Sequence, residues 1–388
     1  MRAAKGSLQV GSFRGIPIRV HFTLLLILPV MAFMFGGAFR EAARVAEIPP
    51  ERLLGSPALW GLGVAVGLFV SVLVHELAHT VYALWRGGRV RSITLMMVGG
   101  VSEMTEAPPR PRDEALMALV GPLTSIFLAV MFGGVTWLVQ GTRSFNLQFA
   151  CFYLASLNLF LGVFNLLPAF PMDGGRIVRA ALTGRLGPVR ATRVASVLGR
   201  GMAVVFGLYG ALVLNPFLVV IAVFIYLGAE GEARQVRMKA TLERVPVSAL
   251  MTPRLAGVDA ASSLWEAMWD LRRERKLVLP VTEGGRPVGW VWLEPVREVP
   301  EAERATRTTR ELMRPALVVG EEENGWTALR RMAEEETPQL AVVTADGSLV
   351  GTLDVSDLQR GMALYQARTE RTEREERPRR GWRQEKPA

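Results

Sequence analysis

The stretch from about Pro57 to Trp85 constrains this chain more than any other. It is almost wholly apolar, and as a helix it is long enough to cross the roughly 30 Å hydrocarbon core of a bilayer. Yet it contains His75-Glu76-Leu77-Ala78-His79, and with it two of the protein's 3 histidines. Titratable side chains inside a span are costly and mark a functional site. On a helix, residues i and i+4 share a face, so both imidazoles can reach one ion. Glu76 follows the first ligand and can touch a water on that ion without ligating it. This is the H-E-x-x-H arrangement in which zinc makes hydroxide available near neutral pH and the glutamate moves protons. Histidines that merely hydrogen-bond to neighbouring helices would account for one such residue, not for two at ligand spacing around a carboxylate.

The 388 residues leave room for two or three domains. Mean hydropathy is +0.25, but the long apolar runs lie before Glu230 and charge gathers after it. That division predicts a membrane domain over 1–232, a soluble module over 241–362 and a charged, disordered tail over 363–388. The formal net charge of +9 suits topology rather than nucleic acid, because arginines flank the spans and no basic row is interleaved with aromatics. Cys151, the 1 cysteine, lies in an apolar run and packs as a small hydrophobe, so there is neither a disulfide framework nor a thiolate metal site. The first apolar run lacks the small-residue cleavage signal of a leader peptide.

Six spans are expected, over about 20–35, 57–85, 115–139, 145–167, 192–214 and 216–228. Strand character appears at Ile93–Val98, followed by a Gly99-Gly100 turn and a second short strand at Val101–Met104. Ala107–Arg112 reads as a Pro-rich loop. The N-terminus and the loops 86–112 and 176–193 are basic, whereas 40–56 is charge-balanced and Arg143 stands alone between spans three and four. Six spans with both termini in the cytoplasm put every basic loop inside. His21, at the start of span one, is read as an interfacial cap rather than a ligand.

A catalytic zinc takes three protein ligands and keeps one position open. Between Glu114 and Glu230 the only carboxylate is Asp173, in Phe164–Gly175. Two prolines and paired glycines there cannot continue an ordinary helix. Broken backbone at membrane depth is tolerated only where it lines a buried or watery cavity. At 1.5 Å per residue, His79 and His75 lie roughly 9 and 15 Å from the end of span two near Trp85, and Asp173 lies at the same end of span four.

These residues resemble the site-2 protease family of intramembrane zinc metalloproteases. The resemblance rests on His75-Glu76-Leu77-Ala78-His79 together with Asn165-x-x-Pro168-x-x-Pro171-x-Asp173-Gly174-Gly175, and on Gly15–His21 at the entry to span one. It covers the membrane half. It implies zinc on His75, His79 and Asp173, Glu76 as general base, and Asn165 as a donor to the developing oxyanion. It also implies that Gly99 and Gly100 belong to a membrane-associated hairpin that positions a substrate strand. The implied reaction is cleavage of a transmembrane segment of a single-span protein, such as an anti-sigma factor or another tethered transcription regulator.

After Ala240 the sequence repeats at an offset of 62, from Met251 to Met313 and from Gly289 to Gly351. Each copy, about 241–300 and 301–362, reads as loop, amphipathic helix and two strands around a glycine turn. The pattern resembles a pair of cystathionine-β-synthase (CBS) domains, an α+β module that binds adenine nucleotides and pairs as dimers. Asp357 matches the family's ribose-binding carboxylate, but Asp354 stands where a phosphate-facing hydroxyl belongs, and copy one lacks both groups. An adenine nucleotide or nucleoside, a degenerate site and a purely structural dimer module all stay open. The rival to a protease is a CBS-gated transporter or channel with His75, His79 and Asp173 as an ion site. It predicts two related membrane halves, and the His-Glu motif does not recur in spans four to six.

Overall fold

In the computed structural model, residues 6–97, 99–106, 110–140, 144–253, 257–363 and 365 are described. Val98 of the first expected strand, 107–109 of the expected loop, Arg143 and nearly all of the expected disordered tail lie outside them. The chain divides into two units, Met1–Val236 and Arg237–Ala388.

Six membrane-length helices, as expected, follow in order: α1 (Phe22–Val45), α2 (Pro57–Trp85), α3 (Pro111–Leu138), α4 (Phe145–Asn165) and α5 (Asp173–Leu212) in the first unit, and α6 (Pro216–Leu242), which runs from the first unit into the second. Ser56 caps α2 by accepting from the Leu59 N–H at 3.3 Å, with Pro57 opening the first turn. Helix α1 starts at Phe22, later than expected, because the residues before it are strand. His21 is its N-cap, and its Nδ1 lies 2.8 Å from the Thr23 hydroxyl. Helix α5 starts at Asp173 rather than near Thr192. It runs through a kink at Gly187, whose φ of 74° is left-handed and suits glycine.

A four-stranded sheet joins these helices, in the order β1 (Ser7–Phe13), β2 (Ile16–His21), β3 (Arg89–Met96), β4 (Gly99–Glu106). The β1–β2 and β3–β4 pairs are antiparallel and β2–β3 is parallel. The sequence shows β3 and β4. It conceals the β1–β2 hairpin, which reaches the sheet only through β2, whose partner β3 lies about seventy residues further along the chain. Leu95 of β3 packs with Leu24, Phe69 and Val72, which ties the sheet to α1 and α2.

The second unit holds α7 (Leu264–Arg273), α8 (Leu293–Glu298), α9 (Glu301–Arg304), α10 (Thr309–Leu312) and α11 (Gly325–Glu334). Its strands are β5 (Thr252–Pro253), β6 (Val258–Asp259), β7 (Val278–Glu283), β8 (Arg286–Trp292), β9 (Arg314–Pro315), β10 (Val318–Gly320), β11 (Gln339–Val343) and β12 (Leu349–Asp354). The two copies exchange their first strands. One sheet runs β6-β7-β8-β9 and the other β10-β11-β12-β5. Each sheet has its own core, one around Leu264, Leu271, Leu279 and Val291, the other around Leu242, Leu340, Leu353 and Leu358.

Candidate metal centre

His75 and His79 stand one turn apart on α2, both buried. Asp173 reaches them from the first residue of α5, where the positive end of the helix dipole favours a carboxylate. Asp173 Oδ2 lies 3.2 Å from His75 Nε2 and 3.1 Å from His79 Nε2, and the two Nε2 atoms are 3.1 Å apart. A tetrahedral zinc with bonds of roughly 2.0–2.1 Å holds its ligand atoms roughly 3.3 Å apart, so this triangle nearly has the size required. Two imidazoles and one carboxylate form a donor set suited to zinc. Among the described residues these three form the one cluster of such side chains able to hold a metal ion.

Helix α3 aims both rings. His75 Nδ1 lies 2.8 Å from Ser125 Oγ, and His79 Nδ1 donates to the Met117 carbonyl at 2.7 Å. With Nδ1 engaged, each Nε2 is left to face Asp173. Pro122 has no N–H for the Ala118 carbonyl, so the helical ladder is interrupted beside the turn that carries Met117. Gly121 makes the approach possible. A Cβ there would stand 2.2 Å from His79 Nε2 and 2.8 Å from His75 Nε2.

The Pro/Gly segment explains how Asp173 arrives. Helix α4 ends at Asn165, and the chain turns through 166–172 before α5 begins. A Cβ on Gly174 would fall 2.2 Å from the Leu167 carbonyl oxygen, and one on Gly175 2.5 Å from the Phe170 nitrogen. The paired glycines therefore let the start of α5 lie directly on the turn.

Glu76 stays outside the ligand triangle. Its Oε2 accepts from the Ser102 hydroxyl of β4 at 2.7 Å. Gly100 packs flat against it, since a Cβ there would meet Glu76 Cγ at 2.4 Å. The structure thus joins His75, His79 and Asp173, and sets Glu76 between them and the β4 strand that Gly99 and Gly100 open. Asn165 closes α4, and its Nδ2 donates to the Leu161 carbonyl of its own helix at 2.9 Å. Asp357 lies in the second unit, where it and Asp354 cap each other's backbone and Thr252 donates to it at 2.8 Å.

Four contributors escape a reading of the motifs: Ser102, Met117, Gly121 and Ser125. A glycine-proline pair in the middle of an apolar span is the one linear signal near them. Arg176 is a fifth, one helical turn beyond Asp173 and within electrostatic reach of both Asp173 and Glu76.

The peptidase family M50 model matches residues 63–148 and 133–206, and the CBS domain model matches 310–363. A zinc metalloprotease of Methanocaldococcus jannaschii is 30% identical over 366 residues, spanning 94% of this chain and 98% of that protein. Rip3 of Mycobacterium tuberculosis, which also bears a zinc metalloprotease name, is 30% identical over 383 residues, covering 93% of this chain and 94% of its own. The solved site-2 protease of M. jannaschii aligns with a TM-score of 0.43 at 32% identity, over 58% of this chain and 95% of that one. With its histidine pair, its aspartate and its six apolar helices, the chain belongs to peptidase family M50, the site-2 protease family of zinc metalloproteases, and carries a CBS domain in its second unit.

Proposed function

We propose that this protein is an intramembrane endopeptidase that cuts a transmembrane segment of a single-span protein, such as an anti-sigma factor or another tethered transcription regulator. The observation that carries this reading is the convergence of His75, His79 and Asp173 within apolar helices, with Glu76 and the edge strand β4 beside them. His75, His79 and Asp173 would hold the zinc, which when bound would activate water and polarise a carbonyl. Glu76 takes a proton from the attacking water and passes it to the departing amine. Its bond from Ser102 holds the carboxylate in place without consuming its second oxygen.

β4 is the outer strand of its sheet, paired to β3 on one side. An unwound substrate segment adds to its free edge through main-chain hydrogen bonds. Gly99 and Gly100 keep that edge flat, so the added strand lies beside Glu76. Asn165 acts as oxyanion donor after giving up its bond to Leu161.

The basic loops support a topology with both termini and the second unit in the cytoplasm. We assign regulation to the CBS pair, as a homodimer, with an adenine nucleotide or nucleoside as ligand. Such a ligand must compete with Thr252 and Arg360 for Asp357, which argues for modest affinity.

The test is co-expression with a single-span substrate, comparing wild type with Glu76→Gln. The variant should keep its zinc and fold while cleavage falls by roughly 10²–10⁴-fold. Near-normal proteolysis by Glu76→Gln would sink the assignment.

A further inference from the structure

Helix α7 of the second unit buries Leu264, Ala267, Met268 and Leu271 and turns a different chemistry outward. Trp265 is 46% exposed and Trp269 64% exposed, one turn apart on the same face. The stripe continues through Arg272 and, past the helix end, through Arg275, Lys276 and the 72% exposed Leu277. The carboxylates of the helix are already engaged. Glu266 belongs to the Ser263 capping box, while Asp270 and Glu274 each lie 3.3 Å from Arg273. Among the described residues Arg272, Arg275 and Lys276 have no ion-pair partner, so the stripe is cationic.

The repeat supplies an internal comparison. The equivalent helix α11 packs its tryptophan, Trp326, against the core and beneath Lys239 at 5.6 Å. Arg330 pairs with Glu334 at 3.5 Å, and α11 ends in Glu334-Glu335-Glu336. The same scaffold therefore shows a covered, acidic end in one copy and an open aromatic, basic one in the other. That difference is not required by the fold.

Exposed indoles beside lysine and arginine are the composition of a segment that lies at a membrane–water interface. We propose that this face of α7 docks on the anionic headgroups of a phospholipid bilayer. Tryptophan rings enter the headgroup layer while Arg272, Arg275 and Lys276 pair with lipid phosphates. The chain passes from α6, a candidate span, directly into the second unit, so the bilayer is held at high effective concentration and a weak surface suffices. A second copy of the chain fits less well. Protein–protein cores are depleted in lysine, and a two-fold axis laying this stripe on itself would oppose like charges.

The experiment uses the full chain in nanodiscs whose lipids carry brominated acyl chains. Emission from Trp265 and Trp269 is isolated as wild type minus Trp265→Phe/Trp269→Phe. In discs of equal phosphatidylglycerol and phosphatidylcholine, that difference signal should be quenched at least about twofold more than in phosphatidylcholine alone, and the excess should vanish at about 1 M salt. Arg272→Glu/Arg275→Glu/Lys276→Glu, at exposed positions, should abolish it at low salt. Equal quenching in both lipids overturns the proposal. So does a signal insensitive to lipid charge that depends on two copies sharing one disc, which would mark a protein interface.

Discussion

At the scale of single residues, the centre is a set of close approaches that leaves little freedom. Asp173→Ala should lose most of the bound zinc along with activity, whereas Glu103→Ala should keep the metal, because Glu103 faces Ser92 across β3 and β4 at 3.1 Å. Metal analysis of the purified variants checks both. Gly121→Ala puts a methyl 2.2 Å from His79 Nε2 and should deplete zinc as thoroughly as loss of a ligand. Ser125→Ala frees the His75 ring and should cost on the order of 10–100-fold in metal affinity or activity, measured by chelator competition. The residues that converge on the candidate metal centre, His75, His79 and Asp173 with Glu76 beside them, were legible in the sequence because a metal site needs particular residue types at particular spacings. The residues that aim them were not, since a serine, a glycine and a backbone carbonyl on α3 share no spacing with a motif on α2.

At the scale of elements, helix ends carry much of the order. Asp354 and Asp357 cap each other's backbone at the start of the last helix among the described residues, over residues 355–363. Burial works to raise the pKa of Asp354, but the Ser356 hydroxyl and the Asp357 N–H outweigh it and hold the carboxyl below its ordinary value. A depressed folded pKa means the stabilisation is complete above the ordinary value and is lost as pH falls through the lower, folded one. Amide protection over 355–363 should be level from about pH 7 to 5 and decline below about pH 4, with the decline absent in Asp354→Asn. Hydrogen exchange at stepped pH measures this. Gly100→Ala acts on a different element. It pushes β4 away from Glu76, and it should slow cleavage with little loss of zinc.

At the scale of the whole molecule, the buried centre limits what can be cut. A helical peptide bond is shielded by its own hydrogen bonds and side chains, so under the proposed activity a transmembrane substrate must open locally before its carbonyl can reach Glu76 and the three converging side chains. Opening is easiest where helix propensity is poor, with Gly roughly 1 and Pro roughly 3 kcal/mol below Ala. Cleavage should therefore fall within a turn or two of a Gly, Pro or Asn in the substrate's span, and Leu at that position should slow cutting without preventing binding. Mass spectrometry of the products decides it; cuts in a soluble loop would remove the basis of the prediction. The second unit makes its own whole-molecule statement. Because β5 and β9 are exchanged between sheets, residues 241–300 and 301–362 expressed separately should fail to fold, whereas 237–365 together should give a cooperative thermal transition.

What the sequence determined by itself was whatever depends on local spacing and on composition over a long window. The i, i+4 histidines around Glu76, the lone carboxylate at Asp173, six apolar runs and a repeat at an offset of 62 are all of that kind. The tertiary structure decided the rest, because it depends on which distant segments meet. The β1–β2 hairpin joins the sheet through the pairing of β2 with β3, and Asp173 reaches His75 and His79 because two glycines let α5 begin against its own turn. Repeat copies alike in sequence exchange strands because hydrogen bonding across a sheet follows edges in space, and those edges carry no mark in the order of residues.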